Sequence, residues 1–290
     1  IKENNIQLIH CHLPWAGVLG RIVYRLTGVP VLYSEHNKQE RYHVLTRWMN
    51  RLTFNWQSGA IAVSKDVATS IKKNISVRIP IVEIVNGVNT DSFQRNITAG
   101  KELKKQFRIP EDAFVVGTIA VFRFQKRLAE WLEVFAAASA KHPQLYGVIV
   151  GDGPLKNEII QKVKVLGLVK KILMPGLQTD VKPWLSLMDV FMMSSLFEGL
   201  PIALLEAMSM ECAIVTTDAG GIKEVVQHNK NGLLVPVESW QKLSAELVRL
   251  IEQPDLMKNL AKSGRVTIME EFGMERMVKG LEALYSKTIR

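Results

Sequence analysis

The sequence predicts an α/β protein built on parallel β-sheets, and three observations support this class. Short runs of β-branched residues alternate with longer stretches suited to helices, a polar segment interrupts the alternation once, and the alternation then starts again. Strands that alternate with helices are typical of βαβ units, in which helices connect parallel strands. With 290 residues, the chain has the length of about two domains.

The first part of the chain, residues 1–95, predicts about four strands, which is few for a complete domain of this class. It ends at Asn86-Gly87, a dipeptide that strongly favours a turn, and at the polar residues that follow. We therefore expect the domain boundary near Arg95. The predicted elements are strands at 6–10, 29–34, 59–63 and 81–85 and helices at 16–27, 46–56 and 65–73.

The second part, residues 96–270, predicts a complete doubly wound unit of about six strands. We expect residues 271–290 to form a helix that packs back toward the first domain. In open parallel sheets, ligands bind outside the carboxyl ends of the strands, so the loops that follow the strands are the candidate functional positions. The predicted strands are 114–121, 146–150, 172–174, 190–194, 213–216 and 232–235, and the predicted helices are 100–107, 128–141, 154–166, 181–186, 201–210 and 223–226.

The composition excludes several classes of protein. Apolar residues make up 47% of the chain and charged residues 22%, which is ordinary for a globular protein and unlike a disordered tail or a fibre. No apolar run approaches the roughly 18 residues that a membrane-spanning helix needs. Cys11 and Cys212 lie far apart in the sequence and favour reduced thiols in a cytoplasmic protein. The chain starts at Ile1 without a signal-peptide pattern, so we expect a fragment or a processed product.

The charge is unevenly distributed along the chain. The net charge is +9, and residues 1–95 hold 12 Lys and Arg against 6 Asp and Glu. A basic first part is suited to phosphates, to nucleic acid or to an anionic membrane surface, and it is equally consistent with a solvated basic face. The isolated aromatic residues do not form an RNA-stacking platform, so we expect no nucleic-acid partner.

Two carboxylates flank the start of a predicted helix in the segment Glu198–Glu206. Pro201 suits the first turn of that helix, whose free backbone N–H groups can hold phosphate oxygens. Glu206 has apolar neighbours one turn away, and a carboxylate in such a setting is costly unless it has hydrogen-bond donors. Sugar hydroxyls would serve as those donors. The alternative is a carboxylate that favours the helix N-terminus and an ordinary helical Glu.

Three further loops follow predicted strands and could contact a phosphate-containing ligand. Arg123 to Arg127 supplies three cations, which can neutralise a diphosphate. The glycines of 151–154 and 219–221 expose backbone N–H groups and allow close approach of a ligand. The alternatives are a solvated basic loop and plain strand-to-helix turns.

Histidines follow the first predicted strand at His10 and His12, and His36 follows the second. Two histidines two residues apart could bind a metal, but no third and fourth ligand lie nearby in the sequence, which argues against zinc. A histidine in a cleft is a good partner for a proton or a hydroxyl, and a buried core histidine is the alternative.

Taken in order, these motifs resemble those of the family-4 retaining glycosyltransferases of the GT-B fold. Glu198 to Glu206 matches the E-x7-E signature of that family, and Asn86 to Asn89 with Phe93 resembles the segment that ends its first domain. The motifs at 8–14, 34–37, 151–154, 176 and 219–221 also fall in the family's order, so the resemblance covers essentially the whole chain. It implies two facing Rossmann-like domains with doubly wound parallel sheets, the first of them incomplete because roughly 80 residues are absent at its start.

The resemblance implies an enzyme that moves a sugar from a UDP- or GDP-linked donor to a lipid-linked or polysaccharide acceptor. Arg123 and Lys126 would neutralise the donor diphosphate without a metal or other cofactor. The family commonly has a longer insert between these two cations, so Arg127 is an additional candidate. Glu206 would hold the ribose hydroxyls, and His12 would lie near the transferred sugar.

The remaining donor-site residues implied by the resemblance follow strands of the second part. Glu198 would contact the donor sugar, and the backbone of Leu200, Pro201 and Ile202 would lie near the diphosphate. Gly151, Gly153, Gly220 and Gly221 complete the donor-binding set.

Three alternatives stay open on the sequence alone. The chain could bind a sugar nucleotide without turnover, or it could be a sugar-nucleotide epimerase of the same fold. Its net positive charge could also bind nucleic acid. We expect a cytoplasmic enzyme with peripheral contact to an anionic membrane surface, and we expect activity to need the absent first segment.

Overall fold

The computed structural model describes residues 4–289, which form two compact units. The first unit runs to Gly87 and also contains Glu198–Leu200 and the segment that begins at Met274. The second unit contains Val88–Phe197 and Pro201–Gly273. The domain ranges 1–95, 96–270 and 271–290 remain predictions, and residues 1–3 and 290 lie outside the described part of the chain.

The first unit is built on a four-stranded parallel sheet, within the residues described, in the order β1-β2-β3-β4. The first strand covers Ile9–His12 rather than 6–10, because pairing with the next strand begins where Ile9 lies opposite Val31. The strands are β1 (Ile9–His12), β2 (Val31–Glu35), β3 (Gly59–Ala62) and β4 (Ile81–Glu83), and the helices are α1 (Pro14–Thr27), α2 (Val44–Thr53) and α3 (Lys65–Asn74).

A buried arginine joins α1 to α2 inside this unit. Arg21 is fully buried, and its Nη1 donates to Asn50 Oδ1 at 2.6 Å while its Nε donates to Gln57 Oε1 at 2.8 Å. Its guanidinium also lies 4.8 Å from the centroid of the Tyr33 ring. Burial lowers the pKa of Arg21 to about 10, so the guanidinium stays charged at neutral pH. These bonds offset part of the cost of burying the charge, and the bond to Asn50 fixes the two helices to each other.

The second unit contains a six-stranded parallel sheet in the order β10-β9-β8-β5-β6-β7. It therefore has the doubly wound, parallel architecture that the sequence predicts. Its strands are β5 (Phe114–Ile119), β6 (Leu145–Val150), β7 (Ile172–Gly176), β8 (Val190–Met193), β9 (Ala213–Thr217) and β10 (Leu233–Val235). Its helices are α4 (Ile97–Gln106), α5 (Leu128–Ser139), α6 (Lys156–Val165), α7 (Lys182–Leu187), α8 (Ile202–Ser209), α9 (Ile222–Val225), α10 (Leu243–Glu252) and α11 (Pro254–Glu271).

The strand order of the second unit reverses direction at β5. After β5 the chain builds β6 and β7 on one side, and it then returns to place β8, β9 and β10 on the other side. The point between β5 and β8 is a topological switch point, where open α/β sheets bind their ligands. The loops after β5 and β8 are therefore the first place to look for function.

The last helix, α12 (Met274–Ile289), belongs to the first unit. Its Gly280 lies beside Ile84, just after β4. Across the described residues, none of the helices combines the length and the apolar character needed to cross a membrane.

Candidate active site

The loop after β5 carries two of the predicted catalytic cations to the switch point of the second unit. Arg123 is exposed, and Lys126 ends a short 3-10 turn at Phe124–Lys126. Ser194, the first residue after β8, fixes this loop: its Oγ lies 3.0 Å from the carbonyl oxygen of Lys126 and 2.8 Å from that of Arg127. The structure thus holds the cationic loop against the end of the neighbouring strand.

Arg127 has a structural role in the second unit. Its φ is +49°, and its Nη1 donates to the carbonyl oxygen of Val237 at 3.1 Å. Its Nε lies 3.8 Å from a carboxylate oxygen of Glu130, one turn into α5. These contacts direct the guanidinium toward α5 and the segment after β10, and a share in ligand binding stays a prediction for Arg127.

Gly151 and Gly153 allow two loops to pack closely. A Cβ at Gly151, where φ is +129°, would collide with the carbonyl oxygen of Ala120, and one at Gly153 would lie 2.6 Å from the backbone nitrogen of Phe122. Phe122 also donates its N–H to the carbonyl oxygen of Asp152 at 2.9 Å. The two glycines therefore shape the loop after β5, and direct contact with a donor stays a prediction for them.

Glu206 lies in the second turn of α8 and is half-buried. Burial raises the pKa of its carboxyl group, and among the described residues no hydrogen bond or neighbouring charge opposes that effect. Pro201 stands immediately before the helix and Ile202, half exposed, is its first residue. This arrangement leaves the Glu206 carboxylate in need of donors from outside the chain.

The loop after β9 contains Gly220 and Gly221. Gly220 has a φ of +59°, in the left-handed region that favours glycine, and Gly221 directly precedes α9. The loop thus reaches the same carboxyl edge of the sheet as the loops after β5 and β8.

The first unit assembles a second set of candidate residues, which we call the histidine cluster: His10, His12 and His36. Nδ1 of His12 lies 3.0 Å from Nε2 of His36, and the ring centroids of His10 and His12 are 4.3 Å apart. His10 Nε2 lies 2.8 Å from Ser34 Oγ, and His10 Nδ1 lies 2.6 Å from the hydroxyl of Tyr285. Burial, with added repulsion from His12 and His36, lowers the pKa of His10 to about 4. Burial, with repulsion from His12, also lowers the pKa of His36.

Glu35 supports the loop that carries His36. Its Oε1 accepts from the backbone N–H groups of His36, at 3.0 Å, and Asn37, at 3.3 Å, while Tyr33 donates its hydroxyl to Oε2 at 3.0 Å. Tyr42 donates a further, short hydrogen bond to Oε1. Burial raises the pKa of Glu35, although these donors oppose the rise. The carboxyl group therefore fixes the backbone just after β2.

The segment Glu198–Leu200 lies against the same loop within the first unit. Gly199 contacts the carbonyl oxygen of His36 so closely that a Cβ there would collide with it. Asn86 Nδ2 donates to the carbonyl oxygen of Leu200 at 2.9 Å. The structure thus brings His12, His36 and the Glu198–Leu200 segment together in one unit.

Tyr285 and Ser194 also contribute to these sites, and the sequence alone does not predict either of them. Tyr285 is 275 residues from His10 in the chain, and no local pattern distinguishes it from any other helical tyrosine. Ser194 acts through its hydroxyl on a loop that is 67 residues away. Within residues 4–289, no group of three or more His, Cys, Asp or Glu side chains is arranged to hold a metal ion. Independence from metal stays a prediction.

Most of the chain matches known protein families. Residues 100–267 match the family described as glycosyl transferases group 1, and residues 1–92 match glycosyltransferase family 4. A UDP-Gal:alpha-D-GlcNAc-diphosphoundecaprenol alpha-1,3-galactosyltransferase of Escherichia coli is 26% identical over 98% of this chain and 76% of its own length. An N-acetyl-alpha-D-glucosaminyl L-malate synthase of Bacillus anthracis is 30% identical over 68% of this chain and 51% of its own length. The crystal structure of Anabaena HepE with UDP and glucose has a TM-score of 0.89 at 22% identity, over 97% of this chain and 78% of that one.

The fold and the matched family define a glycosyltransferase of the GT-B fold. The chain belongs to the group 1 glycosyl transferases. The predicted fold class, the resemblance to family-4 retaining enzymes and the prediction of a sugar-transferring enzyme are therefore confirmed. The roles of the individual site residues remain predictions.

Proposed function

We propose that this enzyme transfers a sugar from a UDP-linked donor to a lipid-linked or polysaccharide acceptor, with retention of the anomeric configuration. The name of the Escherichia coli relative specifies a UDP-sugar and a lipid diphosphate acceptor, and the Anabaena structure holds UDP and glucose. These relatives favour UDP over GDP as the donor nucleotide.

The Glu206 carboxylate is the single observation that carries the proposal. It lies half-buried in the second turn of α8, the helix that follows β8, and burial raises its pKa without a compensating donor among the described residues. The two hydroxyls of a ribose would supply those donors. Arg123 and Lys126, on the loop at the switch point, would then neutralise the diphosphate.

The same proposal gives each remaining residue a role. Backbone N–H groups at the start of α8, from Leu200 to Ile202, would contact the diphosphate, and Gly220 and Gly221 would add further N–H groups. Glu198 would contact the donor sugar. His12 would lie near the transferred sugar.

Electrostatic stabilisation of the leaving diphosphate would supply the largest part of catalysis. The bond between the anomeric carbon and the diphosphate oxygen breaks, and the acceptor oxygen forms its bond on the same face of the sugar. The departing phosphate would take the acceptor proton, so no enzyme nucleophile is required. We propose that Arg123 and Lys126 perform the charge neutralisation for which other transferases use a divalent ion.

The experiment is a thermal-shift panel with UDP, GDP and ADP on the chain, on Glu206→Gln and on Glu270→Gln, an exposed glutamate of α11. A ligand at about 100 times its Kd adds roughly 2.7 kcal/mol, a shift of a few degrees for a chain of this size. We expect UDP to stabilise the parent and Glu270→Gln but not Glu206→Gln. A shift of the same size in Glu206→Gln would remove the ribose-binding role.

We further propose peripheral contact with an anionic membrane surface on the cytoplasmic side. The excess of basic residues in the first 95 positions and the lipid-linked acceptor in the name of the Escherichia coli relative support this location.

A further inference from the structure

Three consecutive residues, Glu198–Leu200, belong to the first unit although the chain on both sides of them belongs to the second. Glu198 is 9% exposed and Leu200 is 5% exposed, so the segment is buried. The proposed function uses the Glu198 carboxylate on the donor sugar. The contacts that hold this short segment therefore decide where that carboxylate lies.

Residues that follow three neighbouring strands of the first unit hold the segment. The strands β2, β3 and β4 lie side by side, and His36, Val63 and Asn86 follow them in that order. A Cβ on Gly199 would collide with the carbonyl oxygen of His36 and would lie 3.6 Å from Cγ2 of Val63. Asn86 Nδ2 donates to the carbonyl oxygen of Leu200 at 2.9 Å. Packing thus holds Gly199, and a hydrogen bond holds Leu200.

The bond from Asn86 is a side-chain contact that a substitution can remove without changing the backbone. The contact at His36 is different, because it involves a carbonyl oxygen of a loop that Glu35 already fixes through two backbone N–H groups. A buried carbonyl group that loses its donor is costly, so the segment would shift to regain a partner. Glu198 is two residues from the held carbonyl of Leu200, so such a shift would displace its carboxylate.

We propose that Asn86 is a positioning residue for the donor sugar: it holds the carbonyl group of Leu200 and thereby sets the place of the Glu198 carboxylate. The inference rests on the proposed function, in which Glu198 contacts that sugar. There, the nucleotide is held mainly by other side chains, those of Arg123, Lys126 and Glu206. Loss of the Asn86 bond should therefore weaken a UDP-sugar much more than UDP itself.

Two substitutions of Asn86 test the bond in different ways. Asn86→Asp keeps the size of the side chain but turns a donor into an acceptor, and its oxygen would then face the carbonyl oxygen of Leu200. Asn86→Ala removes the donor without adding a charge, and it serves if Asn86→Asp does not fold. A role in folding alone would lower the melting temperature without selecting between UDP and a UDP-sugar.

The experiment measures the Kd of UDP, UDP-glucose, UDP-galactose and UDP-N-acetylglucosamine by calorimetry on the full-length protein, with any residues that precede Ile1. The variants are Asn86→Asp, Asn86→Ala, Glu198→Gln and the double variant Asn86→Asp/Glu198→Gln. Asn55→Asp is the matched control, because Asn55 is also half-buried in the first unit and its Nδ2 also donates to a backbone carbonyl oxygen, that of Ser76, at 2.9 Å. Thermal melting confirms that each variant folds.

We expect a loss that is selective for the sugar. For the UDP-sugar that binds the parent most tightly, the Kd should rise about tenfold in Asn86→Asp and in Glu198→Gln, as for loss of a hydrogen bond to a charged group. The Kd of UDP should stay within about threefold of the parent in both. The double variant should bind the UDP-sugar no more weakly than the weaker single variant, because the two residues act on one contact. Asn55→Asp should bind both ligands like the parent.

The inference is overturned if both Asn86 variants bind the UDP-sugar like the parent, if they lose UDP and UDP-sugar equally, if the losses add in the double variant, or if Asn55→Asp shows the same loss. Failure of the proposed function gives a different result. A parent that does not bind UDP, or a Glu198→Gln variant with an unchanged Kd for every UDP-sugar, refutes the donor assignments and the inference with them. A sugar-selective loss in Glu198→Gln but in neither Asn86 variant refutes the inference alone.

Discussion

The hydroxyl of Tyr285 lies 2.6 Å from Nδ1 of His10, although 275 residues separate them in the chain. The bond joins the last helix of the described chain to its first strand, within one compact unit. His10 in turn packs against His12, the histidine that we propose near the transferred sugar, with the two rings tilted by 37°. The C-terminal helix thus fixes the ring on which His12 packs.

We predict that Tyr285→Phe lowers kcat more than it alters KM, because the His10 ring loses the partner that holds its orientation. Loss of one hydrogen bond of about 1 kcal/mol corresponds to roughly a fivefold effect. Steady-state kinetics over pH, with the nitrogen chemical shifts of His10 as a readout of its tautomer, tests this. Tyr24→Phe is the matched control, and an unchanged His10 spectrum in Tyr285→Phe would refute the positioning role.

The pKa of His10 predicts how stability depends on pH. An unfolded histidine has a pKa of about 6.5, whereas burial lowers that of His10 to about 4 in the folded chain. Between these values the unfolded state binds the proton and the folded state does not, so the free energy of unfolding falls as pH falls through this window. Above about pH 6.5 neither state binds this proton, so the decrease in the free energy of unfolding is confined to lower pH.

Urea unfolding at several pH values measures this effect. His10→Asn should show a smaller decrease in stability from pH 6.5 to 4 than the parent, and His43→Asn, at an exposed position, should keep the decrease of the parent. His36 acts in the same direction, so some pH dependence should survive in His10→Asn. Identical pH profiles for His10→Asn and the parent would contradict the assignment.

We predict that Glu35→Ala destabilises the chain by about 3 kcal/mol. The substitution leaves the hydroxyl of Tyr33 and the backbone N–H groups of His36 and Asn37 without their buried acceptor. Glu35→Gln retains one acceptor oxygen and should cost less. Equal losses in the two variants, measured by urea unfolding, would mean that packing rather than hydrogen bonding matters at this position.

We predict that Gly151→Ala destabilises the second unit by about 3 kcal/mol or more. A Cβ at this position collides with the carbonyl oxygen of Ala120, and the positive φ adds strain. Gly167→Ala is the control, because Gly167 also has a positive φ, of +67°, but a Cβ there meets nothing within 4 Å. It should cost about 1 kcal/mol, from the backbone conformation alone. A similar loss in both variants, measured by thermal unfolding, would refute the close-approach argument.

The sequence predicts the alternation of elements well between β5 and β10, because these helices and strands leave local patterns of apolar residues and turns, but it does not divide the residues after β10 into α10 and α11. It also predicts the strand-end loops, since Gly, Pro and charged residues cluster there. It does not predict the first strand at Ile9–His12, because only pairing with β2 decides where that strand starts. Nor does it predict the Tyr285–His10 bond. It also does not predict that the apolar residues Val44, Trp48 and Leu52 of α2 are exposed, because this depends on tertiary packing rather than on local sequence.

The measurement that tests the central claim most directly is turnover of UDP-glucose, UDP-galactose and UDP-N-acetylglucosamine with a lipid diphosphate-linked sugar as acceptor. It is run on the full-length protein, with any residues that precede Ile1, and on its variants Arg123→Gln/Lys126→Gln and Lys141→Gln, the last an exposed lysine that follows α5. We predict UDP release with formation of a glycoside that keeps the donor's anomeric configuration, reduced at least a hundredfold in the Arg123/Lys126 variant and unchanged in Lys141→Gln. Two results would contradict the account: a folded, UDP-binding protein that isomerises the donor without forming a glycoside, or an Arg123→Gln/Lys126→Gln variant that retains full activity.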